Sequence, residues 1–163
     1  MKRWWITCSV VFVVGFMIYL YSRYSLCMFS ATYNFNDAQH GVVLSIAPGA
    51  AISREGITIR YTNNSDRDYD LHPGFTLETK AGNCWVVVPF LPGRGNFFLI
   101  TYPMPPGSYA DIMTLDIQDS FGEIPDGRYR VIRDISHTPE NFVPFRHDPP
   151  EIFHVAVEFV LDS

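Results

Sequence analysis

The sequence has little of the basic charge that nucleic-acid-binding proteins need. Beyond residue 30 the chain carries nine basic residues against 17 acidic ones, a net charge of about −8 that mainly favours solubility. A protein that binds DNA or RNA neutralises phosphates with lysine and arginine. The composition therefore argues against a nucleic-acid partner.

Cysteine is also scarce, with Cys8, Cys27 and Cys84 as the whole set. No CxxC pair is present, so neither a zinc site nor a thioredoxin-like redox motif is indicated. Cys8 lies inside an apolar leader and cannot easily pair with a folded domain. Cys27 and Cys84 could pair, although their spacing does not require it, and the position of Cys84 beside Trp85 also leaves open a reactive thiol.

Patterns typical of catalytic centres are missing. No serine lies in a nucleophile elbow, since Ser108 belongs to the turn sequence PPGSY. Cys84 has no histidine close to it in sequence, and carboxylate pairs are uninformative in an acidic chain. We therefore expect no catalytic residues, no cofactor and no enzymatic activity.

Metal ligands are present only in irregular patterns. Four candidate side chains fall near one another in sequence: His137, His147, Asp148 and His154. Their spacing does not match known ligand spacing, so hydrogen-bonded or solvated histidines are the preferred interpretation. Asp66, Asp68 and Asp70 resemble the start of a calcium loop, but Leu71 and Leu77 occupy the required Gly and Glu positions. No metal site is predicted.

The N-terminus carries a run of 19 uncharged residues, 4–22. As a helix it would extend about 28 Å, close to the hydrocarbon thickness of a bilayer. Aromatic residues lie at both ends of the run, and Lys2 and Arg3 precede it, which predicts a cytoplasmic N-terminus. The sequence thus predicts a single-pass membrane protein with an outward-facing domain: an anchor over 1–29, a spacer over 30–41 and a domain over 42–163.

Cleavage of this leader is the alternative. A secretory signal has a shorter apolar core and small residues at the cut. Ser25 and Cys27 would make a poor cleavage site, and Leu26 is large where lipoprotein processing needs a small residue. An uncleaved signal anchor is the preferred interpretation.

The pattern of residues 56–88 predicts β-structure. Ile57, Ile59 and Tyr61 alternate with polar residues, as in a half-buried strand. Residues 63–66 (Asn-Asn-Ser-Asp) break the alternation with turn-forming side chains, and residues 80–83 form a hairpin with Gly82. The sequon at 63–65 is interpreted as part of the first turn rather than as a glycosylation site.

Further strands are predicted along the chain. The alternating or apolar segments are 42–46, 96–101, 109–117, 124–131 and 152–161. A prolyl turn over 103–107 separates two of them, since proline cannot donate to a ladder. Together these segments predict an all-β, immunoglobulin-like antiparallel β-sandwich of about eight strands, preceded by one N-terminal transmembrane helix.

The run Asp126-Gly127-Arg128-Tyr129 has the form of a tyrosine corner, in which a tyrosine hydroxyl bonds back to the preceding loop. Val131 stands where antibody domains have a cysteine. With TIxYTNNSD, FxLExKxGxxW and PPGSY, this run resembles the bacterial Ig-like domain family of Gram-positive envelope proteins over about residues 42–161. The resemblance implies a fold and a membrane-anchored module but no catalytic residues. The layout is also similar to the bacterial intracellular proteinase inhibitor, whose cytoplasmic role the leader argues against.

The segment 136–150, SHTPENFVPFRHDPP, is long for a hairpin loop and stiffened by proline. Loops at the ends of Ig-like sandwiches often bind partners, and Phe and Arg are frequent interface anchors. The candidate partner contacts are Phe142, Phe145, Arg146 and His147. The alternative is that the two phenylalanines pack over the end of the core.

These observations predict a non-enzymatic, membrane-anchored, extracytoplasmic module that binds or spaces an envelope protein or cell-wall component. Its membrane contact is through residues 4–22, and no nucleic acid is involved. The alternative hypothesis is a protease-inhibitor-like Ig domain that acts through one loop.

Overall fold

The computed structural model describes residues 40–95, 100–137 and 151–162, which form two antiparallel β-sheets with one short helix. Eight strands lie in these ranges, in agreement with the predicted number of about eight. In chain order the elements are β1 (Val42–Ile46), β2 (Gly56–Asn63), β3 (Tyr69–Ala81), β4 (Cys84–Val87), β5 (Tyr102–Met104), β6 (Tyr109–Asp116), α1 (Ile117–Phe121), β7 (Gly127–His137) and β8 (Glu151–Leu161).

The first sheet has three strands in the order β1-β2-β6. The second has five strands: β4-β3-β7-β8 lie side by side, and β5 pairs with the first part of β3. Every pairing is antiparallel. β7 and β8 stay in register over eleven residues each. The predicted β-sandwich is therefore confirmed.

The core lies between the two sheets and is built by the alternation that the sequence shows. Ile57, Ile59 and Tyr61 of β2 are all buried, as their period-two spacing predicts. The opposite sheet contributes inward-facing apolar residues from three strands: Phe75, Leu77, Val131, Ile135, Phe153, Val155, Phe159 and Leu161.

Burying this apolar area is the main stabilising contribution to a sandwich of this kind.

Two predictions of secondary structure are corrected. Ile117 does not extend the preceding strand but begins α1, because the Asp116 side chain accepts a hydrogen bond from the Asp119 N–H and caps a helix there. Pro103 lies inside the edge strand β5 rather than in the turn, an edge position that proline tolerates.

Of the predicted strand 96–101, residues 96–99 lie outside the described ranges, and Ile100 and Thr101 are irregular.

The tyrosine corner is confirmed. The Tyr129 hydroxyl donates to the Pro125 carbonyl at 2.6 Å, and the ring is buried and stacks on Phe159. Burial raises the pKa of the Tyr129 hydroxyl, which a side-chain hydrogen bond with Thr79 partly opposes. Arg54 holds the same loop from outside through an ion pair with Asp126.

In the described part of the chain, no helix is long and apolar enough to span a bilayer. The predicted anchor at residues 4–22 lies outside that part.

Candidate functional site

One end of the sandwich gathers the starts and ends of several strands. Val42 pairs with Asn63, Thr62 pairs with Tyr109, and His137 pairs with Glu151. This end therefore holds the beginnings of β1, β6 and β8 and the ends of β2 and β7. Side chains that are far apart in sequence meet here, which gives this end the capacity to form a site.

Asn63 organises the loops at this end. Its side-chain amide donates to the carbonyls of Arg67 and Met104, both at 2.8 Å, and its Oδ1 accepts from the backbone and hydroxyl of Ser65. Its backbone also bonds to residues 107 and 108. Asn63 is fully buried, so its amide is engaged inside the fold and the sequon at 63–65 is a structural turn, as predicted.

A polar pocket of about 480 Å³ opens beside this turn. Its lining residues are His40, Gly41, Ser65, Asp66, Arg67, Tyr69 and Glu151. The volume falls in the range of about 300–1,000 Å³ that is usual for small-molecule sites. We call this cavity the polar pocket.

Aromatic rings support one wall of the polar pocket. The His40 ring stacks on Phe153 with ring centroids 4.0 Å apart. Tyr69 contacts the same Phe153 edge-on at 5.3 Å and His137 at 5.7 Å. These packed rings fix the wall, because buried aromatic side chains have little freedom to move.

The rim of the polar pocket carries charged side chains from the described part of the chain. Within the described ranges, no hydrogen bond or ion pair engages the side chains of Asp66, Arg67 or Glu151. Two carboxylates and one guanidinium are thus available to a ligand.

The candidate contacts Phe142, Phe145, Arg146 and His147 lie outside the described residues. The residues that flank their loop are described: His137 ends β7 and Glu151 begins β8. Glu151 lines the polar pocket, and His137 contacts the pocket residue Tyr69. The predicted binding loop therefore leaves and re-enters the fold beside the polar pocket. The protease-inhibitor hypothesis depends on the same loop and stays a prediction.

The histidine and aspartate patterns take structural positions where they are described. His154 bonds to Asp134 across the outer face of β7 and β8 at 2.8 Å, in agreement with a hydrogen-bonded histidine. Asp70 belongs to β3 rather than to a loop. Across residues 40–95, 100–137 and 151–162, no group of three His, Cys, Asp or Glu side chains could hold a metal ion.

A serine–histidine contact that the sequence did not reveal lies on β3 and β7. His72 Nε2 is 3.0 Å from Ser136 Oγ, and Ser136 pairs across the two strands with Asp70, two residues before His72. Ser136 is only 4% exposed. A nucleophile must reach a substrate carbonyl, so the buried Ser136 hydroxyl serves packing rather than catalysis.

The outer face of the five-stranded sheet carries a second polar group. Arg130 donates from Nε to Glu78 Oε2 at 2.5 Å, and Glu78 is fully buried. The Arg130 guanidinium and the Lys80 ammonium group lie over the Trp85 ring, 4.5 and 4.8 Å from its centroid. Both neighbouring cations are thus already engaged by the protein, and we read this group as structural.

Cys84 is disulfide-bonded. The reactive-thiol hypothesis for this residue is therefore wrong, because a half-cystine does not supply a thiolate. The other two cysteines of the chain, Cys8 and Cys27, lie outside the described residues.

Two packed antiparallel sheets with a tyrosine corner define an immunoglobulin-like sandwich. The chain belongs to the family of bacterial Ig-like domains, whose model it matches over residues 39–156. No curated protein matches the chain. Family membership indicates a non-enzymatic extracellular module.

Proposed function

We propose that the protein is a single-pass membrane protein whose Ig-like domain faces outward and binds or spaces a partner at the bacterial cell envelope. The observation that carries this proposal is the disulfide bond of Cys84. Disulfides form and persist outside the cytoplasm, where thiols are not kept reduced. The uncharged run 4–22 and its preceding Lys2 and Arg3 support the same arrangement.

The position of Cys84 also bears on how the domain is oriented. Cys84 lies opposite Ala81 in the backbone register of the hairpin between β3 and β4. β3 spans 13 residues between the polar-pocket end and this hairpin, a distance of roughly 40 Å at about 3.3 Å per residue. Cys84 therefore lies at the end of the sandwich opposite the polar pocket.

A bond between Cys84 and the leader would turn the polar pocket away from the membrane. The two other cysteines both precede residue 30, next to or inside the predicted anchor. Joining either of them to Cys84 brings the hairpin end towards the bilayer. The polar pocket and the two ends of the predicted binding loop then point outward, where an envelope protein or cell-wall component can reach them.

A fusion reporter tests the topology. Alkaline phosphatase fused after Ser163 should be active and stay in the membrane fraction, because its activity requires an oxidising compartment. The matched control removes residues 1–29 and should leave the reporter inactive in the cytoplasm. A reporter that is active but soluble in the medium would show a cleaved leader, and an inactive membrane-bound reporter would show the opposite orientation; either result contradicts the proposal.

A further inference from the structure

The charges around the polar pocket define the complement that a ligand must carry. Asp66 and Glu151 are negative and Arg67 is positive, and the protein leaves all three unpaired in its described part. A ligand that pairs with each of them carries two cationic groups and one anionic group. Its net charge of +1 opposes the net −1 of the three side chains.

We propose that the polar pocket binds a free diamino carboxylic acid. The two ammonium groups donate to the carboxylates of Asp66 and Glu151. Arg67 donates to the ligand carboxylate, for which the planar guanidinium offers a bidentate fork. This inference rests on the proposed function, since it gives the outward-facing end of the domain its ligand.

The pocket wall is formed before a ligand arrives. Asn63 holds the turn that carries Asp66 and Arg67 through four side-chain hydrogen bonds. Gly41 packs directly on this turn: its φ is +71°, a Cβ there would lie 3.0 Å from Ser65 Cβ, and its carbonyl accepts from the Asn64 N–H. Little ordering of the backbone is then needed on binding, which favours affinity.

Lysine is the probe that carries this charge set. We expect titration of L-lysine into the full chain, isotope-labelled and held in a mild detergent at low salt, to shift the backbone amide signals of Gly41, Ser65 and Arg67 in a saturable way. Exposed ion pairs are individually weak and screened by salt. A Kd of about a millimolar is therefore expected. Alanyl-lysine should bind less tightly than free lysine, because the α-nitrogen of its lysine residue is an uncharged amide.

Variants separate the two halves of the recognition. Glu151→Gln should weaken lysine binding by about two- to five-fold, the size of one exposed ion pair, whereas Glu123→Gln, an exposed acid at the opposite end, should not. Lysinamide lacks the carboxylate, so the natural chain should bind it less tightly than it binds lysine. The Arg67→Gln variant, which lacks the guanidinium, should bind lysinamide and lysine equally well.

The inference is overturned if lysine produces no saturable shift well above millimolar concentration, or if the shifts lie outside the polar pocket. Equal binding of lysine and lysinamide by the natural chain would also overturn it, because Arg67 would then recognise nothing. These failures would leave the topology result intact. Failure of the topology test would leave lysine binding measurable, so the two proposals can fail separately.

Discussion

Replacing Arg133 with alanine should destabilise the fold by about 3–5 kcal/mol. The substitution leaves a cavity in the core and removes the donor from the polar groups that the buried side chain contacts. Arg133 is 2% exposed and faces the core between the cross-strand residues Phe75 and Val155. Its Nη1 donates to the carbonyls of Pro73 and Gly74. Urea denaturation of the full chain measures the free energy of unfolding.

Arg133 also connects the two sheets. Its guanidinium carbon lies 5.5 Å from the ring centroid of Tyr61 on β2, in the opposite sheet. Burial raises the pKa of the Tyr61 hydroxyl, and the charge of Arg133 and a hydrogen bond to it oppose that shift. Two residues before Arg133, Val131 occupies the β7 position where antibody domains have a cysteine. The contact between Arg133 and Tyr61 therefore crosses the core close to the place where such domains have their inter-sheet disulfide.

Two further variants show what the Arg133 head group contributes. Arg133→Met keeps most of the volume but orphans the carbonyls of Pro73 and Gly74, and should cost about 1–3 kcal/mol. Arg128→Ala, on the same strand but in an exposed pair with Glu158, should cost at most about 1 kcal/mol. If Arg133→Met were as stable as the natural chain, the guanidinium hydrogen bonds would contribute nothing net.

Replacing Asn63 with alanine should lower the free energy of unfolding by about 2–4 kcal/mol, because buried hydrogen-bonding groups lose their partner and water cannot reach them to replace it. The carbonyls of Arg67 and Met104 lose their donor, and the Ser65 backbone loses its acceptor. The midpoint of urea denaturation measures the loss. Asn64→Ala, the exposed neighbour in the same turn, should change stability by less than about 0.5 kcal/mol.

The same Asn63 variant should also weaken lysine binding, since the turn that it holds carries Asp66 and Arg67. A stable Asn63→Ala protein would contradict the role of Asn63 as the organiser of this end. Loss of stability with unchanged lysine binding would instead show that the polar pocket does not depend on the turn.

Sequence patterns predicted the strands and turns well, because these depend on near neighbours. The alternation in β2, the turn at Asn63 and the corner at Tyr129 each follow from residues within a few positions of one another. The helix α1 was missed, since five residues are too few to show a helical period.

Arg133 shows a different limit. Its spacing from Tyr129 and Val131 places it on the inward face, but its charge argues for solvent. The carbonyls of Pro73 and Gly74, which accept from its Nη1, lie at the register shift between Leu71 and Phe75, and no local sequence pattern indicates that shift.

The polar pocket could not be predicted for a similar reason. Its lining comes from the two residues before β1, the turn after β2 and the beginnings of β3 and β8, and only the strand pairing brings these together. The segment 136–150 drew attention to the same end of the molecule, because β7 and β8 end and begin there. The sequence does not predict the disulfide of Cys84, since three cysteines without regular spacing do not specify a pairing.

Identification of the residue bonded to Cys84 tests the central claim most directly. Trypsin places each cysteine on its own peptide, 4–23, 24–54 and 81–94. In protein taken from membranes with free thiols blocked, digestion without reduction should yield peptide 81–94 linked to 24–54, because Cys27 lies beyond the outer end of the apolar run and Cys8 lies within it. A blocked thiol on Cys84, or peptide 81–94 linked to itself, would contradict an outward-facing domain tied to its own anchor.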